Sequence, residues 1–163
     1  MDENLREKVA LKITDAFSTT PYPGDNNIGD GDPFDGDSVE EAFRGKHWRE
    51  ISLELLLVHH EKLPFLSPEG FRFYFPAYLI GVLYHFEDLD MYFVPSRIIT
   101  SLTPPSQFPN KFLEIAKQFT AQEKDAIHSF LYHFKALFPE ESWSYLPSEG
   151  QNLEEAIKFF GKT

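Results

Sequence analysis

Ser67-Pro68-Glu69-Gly70-Phe71-Arg72-Phe73-Tyr74-Phe75-Pro76-Ala77-Tyr78-Leu79-Ile80-Gly81-Val82-Leu83-Tyr84-His85-Phe86 is the stretch that decides the fold. Serine, proline and an acid in that order start a helix. The hydroxyl caps the free N–H groups, proline sits where no N–H is needed, and the acid faces the positive end of the dipole. The apolar run from Phe71 to Phe86 has 16 residues and contains Arg72 and Pro76. That is too short and too interrupted to span a bilayer. Pro76 predicts a break or kink midway.

Helical signals continue on both sides. Leu5, Val9, Ile13 and Phe17 fall at four-residue steps among charged residues, so residues 2–17 read as an amphipathic helix ended by Thr19-Thr20-Pro21. Ser38-Val39-Glu40-Glu41 is a capping-box pattern for a short helix stopped by Gly45. Ser52 opens a leucine-dominated segment, Leu53 to Glu61, read as helix over strand. Residues 88–102 are the least legible: a helix from Pro95 through Leu102, with a short strand through Met91–Val94 as an alternative. A helix over 110–118 is capped by Asn110. Thr120-Ala121-Gln122-Glu123 is a second capping box, and Ile127, Phe130, Leu131, Phe134, Leu137 and Phe138 carry its helix to Pro139. A last helix runs from Asn152 to Phe160. The expected fold is all-α: one domain over 1–163, an irregular orthogonal array of about seven helices joined by short proline-containing turns.

Residues 21–37 break the pattern. In these 17 residues only Tyr22, Ile28 and Phe34 are not Gly, Pro, Asp or Asn, which is turn chemistry. Asp25, Asp30, Asp32, Asp35 and Asp37, with Glu40 and Glu41, supply -7 of the formal net charge of -11. The acidity is therefore one anionic loop on a near-neutral helical body.

That balance disfavours nucleic acid and anionic membrane surfaces, whose affinity rests on Lys and Arg. A basic protein partner stays open. The chain has no cysteine, which removes disulfides, thiolate nucleophiles and Cys-based metal sites and fits a reducing compartment. The charged start, Met1 to Lys8, lacks the apolar core of a signal peptide. A cytoplasmic protein is expected. There is no GxSxG, Walker loop, GxGxxG or HExxH. His59 and His60 point about 100° apart on a helix, and all six histidines read as neutral polar surface residues.

Four blocks resemble the DUF6714 family of small uncharacterised bacterial proteins. They are Thr20-Pro21-Tyr22-Pro23-Gly24-Asp25-Asn26-Asn27-Ile28, Gly45-Lys46-His47-Trp48-Arg49-Glu50, Phe65 to Tyr78, and Phe119-Thr120-Ala121-Gln122-Glu123-Lys124-Asp125-Ala126-Ile127. The resemblance implies a bacterial, cytoplasmic, single-domain protein and no particular activity. Segment 29–37 is longer and more acidic than the family pattern.

The candidate sites follow from these features. Asp30, Asp32, Asp35 and Asp37 on a glycine-bearing loop could hold calcium, though their spacing is not that of an EF-hand; the competing reading is a solvated or partner-facing loop. Tyr22 between two prolines is either a rigid recognition element or a pin to the core. Trp48, flanked by Lys46, His47 and Arg49, is either a binding hot spot or the anchor of a turn. Phe71, Phe73, Tyr74, Phe75 and Tyr78 either line an interhelical pocket, as in a ligand-binding or hydrolytic protein, or pack the core. Arg72 and Arg97 need acidic partners if buried. The leading functional expectation is a non-enzymatic interaction domain contacting a basic partner through Tyr22, Trp48 and the loop acids, in the manner of a toxin-neutralising immunity protein. No catalytic residues are assigned.

Overall fold

The computed structural model describes residues 2–88, 93–105, 109–144 and 148–162. They form nine α-helices and no strand. These are α1 (Glu3–Ala16), α2 (Asp35–Phe43), α3 (Leu53–Val58), α4 (Pro68–His85), α5 (Val94–Leu102), α6 (Pro109–Gln118), α7 (Ala121–Tyr132), α8 (Phe134–Leu137) and α9 (Glu149–Phe160). The all-α class is as read from the sequence, with more and shorter helices. No helix among the described residues is long and apolar enough to cross a membrane.

Helix α4 is the centre. It packs against α1, α3, α5 and α6, and α7 bridges α1 to α9. Ser67 caps it by accepting from Gly70 N, as its sequence predicts. Pro76 does not break it, for the helix runs through to His85. Phe71, Phe73, Tyr74, Phe75, Tyr78, Leu79, Val82 and Leu83 are all buried around the helix, so neighbouring helices enclose it on most sides. That packing outweighs the one backbone hydrogen bond a proline removes. The aromatic run is core: Phe71 stacks on Phe75 at 4.7 Å, and Phe43 meets Tyr74 at 4.8 Å.

Several boundaries differ from the sequence reading, each for a local reason. α2 begins at Asp35, before the Ser38 box, because Asp37 N and Ser38 N already donate to Asp32 O and Phe34 O. α6 begins at Pro109, so Asn110 lies inside it and is not the cap. The expected single helix from Thr120 to Phe138 is split at His133 into α7 and α8. The offset lets Phe134 and Leu137 both bury fully, with Trp143 edge-on to Phe134 at 5.7 Å. α9 starts three residues before Asn152, at Glu149. Of the alternative strand, Met91 and Tyr92 lie outside the described residues, and Val94 opens α5. Gly45 ends α2 as read, at a φ of 73° that favours glycine.

His59 corrects the view of the histidines as surface residues. It is 7% exposed, edge-on to Phe43 at 5.7 Å, and its carbonyl accepts from Tyr78 Oη at 2.8 Å. Burial, with Lys62 nearby, holds its imidazole pKa below the ordinary value. The fold therefore favours the neutral ring, while the unfolded chain takes up a proton at about pH 6.5. The stability this contributes is present above about pH 6.5 and is lost as pH falls through the folded-state pKa. In melting profiles between pH 8 and 5, a His59→Leu variant is expected to show a shallower acid decline than the wild type. Parallel curves would refute a role for this ring.

Candidate functional site

The loop 21–37 is docked at its middle. Ile28 is fully buried. Gly29 and Leu66 form an antiparallel bridge, in which Asp30 N donates to Phe65 O and Ser67 N donates to Ile28 O, both at 2.8 Å. Ser67 Oγ donates to Asn27 O at 2.6 Å while accepting from Gly70 N. One serine thus caps α4 and ties the loop to its start.

The carboxylates are mostly spent on building the loop. Asp32 Oδ1 accepts from Phe34 N and Asp35 N at 3.0 and 2.8 Å. Those backbone donors hold its carboxyl below the usual carboxylate range. Asp30 Oδ1 accepts from Asp32 N, and its Oδ2 faces Lys111 Nζ at 2.9 Å. Asp35 pairs with Lys62. Glu40 accepts from Gly29 N at 3.1 Å and pairs with Arg44 at 3.2 Å. Asp25 accepts from Tyr22 Oη. Asp30, Asp32 and Asp35 therefore look to separate partners. Among the described residues no group of three or more side chains is placed to hold a metal ion.

Two acids and one ring are left over. Asp37 and Glu41 are exposed and, among the described residues, have no salt bridge or side-chain hydrogen bond. Phe34 is 81% exposed, the most exposed large apolar side chain among the described residues. It stands immediately before α2, between Asp32 and Asp37. Sequence reasoning noted Phe34 without assigning it a role. The signal was there: one large ring in a run of turn residues that has no periodicity to bury it.

Tyr22 and Trp48 separate. Tyr22 is 39% exposed; its hydroxyl donates to Asp25 Oδ1 at 2.7 Å and accepts from Gly45 N at 2.8 Å, and its ring is edge-on to Phe73 at 5.5 Å. Desolvation raises its phenol pKa. Beside it, Tyr74 donates to Phe43 O and Lys46 O, and burial pushes its phenol up further. Trp48 is buried at 4% exposure in a short 3-10 turn that packs on α4, so it anchors the turn.

The four family-like blocks, distant in sequence, meet in space. Tyr22 touches Gly45 and Phe73, His47 lies 5.3 Å from Phe73, and Ser67 holds Asn27 and Ile28. Thr20 Oγ1 donates to Glu123 Oε1 at 2.6 Å, and Arg72 Nε faces Glu123 Oε2 at 2.9 Å. Arg97 finds its acid in Glu61 at 2.8 Å.

An irregular helical array that locks one carboxylate-rich loop across the start of its central helix, and leaves an aromatic tip in solvent, defines the class of protein. The chain belongs to the DUF6714 family, a family of unknown function, which matches it over residues 6–155. A search of curated proteins and a search of solved structures each returned no match.

Proposed function

We propose that this is a non-enzymatic interaction domain of the bacterial cytoplasm that docks on a basic protein through the tip of its acidic loop. An immunity-type neutraliser is the form that fits best. The observation that carries this reading is Phe34, 81% exposed beside the unpartnered acids Asp37 and Glu41. A solvated ring of this size gains free energy on burial, and aromatic anchors inside a polar rim are the usual energetic centres of interfaces. Free carboxylates around it steer a cationic partner and speed encounter. Calcium binding by Asp30, Asp32, Asp35 and Asp37 has weaker support, because Lys111 and Lys62 already face two of the four.

Photo-crosslinking tests the proposal. A benzoyl-phenylalanine at position 34, introduced in cells that make the protein, is expected to capture a basic protein. The same probe at Leu11, also well exposed at 63%, is expected not to. With that partner purified, Phe34→Ala should weaken binding about tenfold or more. Its melting temperature should change little, since the side chain is already 81% exposed. Asp37→Asn with Glu41→Gln should slow association and flatten its salt dependence. Equal capture from both positions, or full affinity in Phe34→Ala, would refute docking at this tip.

A further inference from the structure

Away from the loop, Ala77, Ile80, Gly81 and Tyr84 fall on one face of α4. Between that face, Thr14 of α1 and the segment from Trp48 to Leu56, the structure leaves a cleft of about 350 Å³. Leu53 and Leu56 add to its apolar wall, and no carboxylate is among its described lining residues.

Its basic lining side chains are Arg49 and His85. Trp48 is 4% exposed, and its Nε1–H is buried with no acceptor. That N–H is closed to solvent, so Trp48 offers the cleft its ring and not its donor. Arg49 lies over the Trp48 ring at 4.9 Å and donates to Thr14 O at 3.3 Å. Arg6, Arg44, Arg72 and Arg97 each have a carboxylate partner; among the described residues Arg49 alone has none. That sets Arg49 apart from the other four arginines and leaves its charge free beside an apolar cleft. His85 also lines the cleft, with Asp88 Oδ2 3.5 Å from its Nδ1, which offsets its charge when protonated.

We infer that this cleft binds a small apolar monocarboxylate. The hydrocarbon lies along the α4 face and the Trp48 ring, and the carboxylate meets the Arg49 guanidinium. Arginine suits a carboxylate because its fork can donate two parallel bonds. The inference is independent of partner docking at Phe34.

Octanoate is the probe, with octanol and octylamine as controls of matched length. A Trp143→Phe variant leaves Trp48 as the sole tryptophan, so its fluorescence reports the cleft; calorimetry on the unmodified protein gives the same reading without the substitution. Octanoate is expected to produce a saturable change, octanol to bind at least about tenfold more weakly, and octylamine not to bind. Arg49→Gln should lose most of the preference for acid over alcohol. No saturable signal up to about 10 mM octanoate, weaker than any useful affinity, would overturn the inference. Equal affinity for acid and alcohol would do the same.

Discussion

Replacing Glu123 by alanine is expected to cost about 3–5 kcal/mol of stability, the usual result of stripping one partner from a buried ion pair. Glu123 is 1% exposed and fully engaged. Its carboxylate accepts from Arg72 Nε and Nη2 at 2.9 and 3.0 Å, from Thr20 Oγ1 and from Thr120 N at 2.8 Å. The last bond is half of the capping box that starts α7. The alanine variant would leave a guanidinium whose side chain is 17% exposed without its counter-charge, and two donors without an acceptor. The sign of a second substitution isolates the cause. Adding Arg72→Met to Glu123→Leu removes both charges, and such pairs are often tolerated. Urea unfolding should show the double variant recovering a large part of what Glu123→Ala loses. A double variant as unstable as the single would mean that the hydrogen bonds, not the stranded charge, dominate.

Gly70→Ala is expected to destabilise by about 3 kcal/mol, although helix propensity alone predicts a gain of about 1 kcal/mol. Gly70 lies in the first turn of α4, directly beneath the loop. A Cβ there would sit against the carbonyl oxygen of Ile28, well inside van der Waals contact. The neighbour is backbone, so no rotamer change relieves it. The loop would have to lift, giving up the Ser67 N–Ile28 O bond and exposing Ile28. Burial of that side chain is worth about 1.5–3 kcal/mol and each lost hydrogen bond about 1 kcal/mol. Gly150 is the control. It is also helical but has nothing within 4 Å of its would-be Cβ, so Gly150→Ala should stabilise slightly. For a chain of this size the Gly70 change corresponds to roughly 6–12 °C in melting temperature. If both alanines raise it, the loop is not docked as described.

Helices were legible where one residue's local chemistry sets the outcome. Ser67-Pro68-Glu69 and Thr120 through Glu123 name their own caps, and both caps form as read. Starts were misplaced where the cap comes from outside the expected pattern. Asp32, three residues before α2, supplies the acceptors that Ser38 was read to provide. The break at His133 has no local signal, because the apolar spacing through Phe138 suits one helix as well as two; packing against Trp143 selects two. The acidic loop shows the same division. Its turn character follows from composition, but which acids are structural depends on Lys62 and Lys111, brought there by the fold.

The residues alone determine an all-α chain with a core of aromatic rings and one anionic loop, since caps, turn residues and apolar period act over a few positions. Only the tertiary structure decides what that loop is. It presses Ile28 into the core against Gly70, turns Asp30, Asp32, Asp35 and Glu40 into internal ties, and leaves Phe34, Asp37 and Glu41 facing water. The reason is physical. Identical carboxylates differ only by which donors lie within hydrogen-bond reach: Asp32 finds its donors within three residues, whereas Asp30, Asp35 and Glu40 depend on Lys111, Lys62 and Gly29 from elsewhere in the chain.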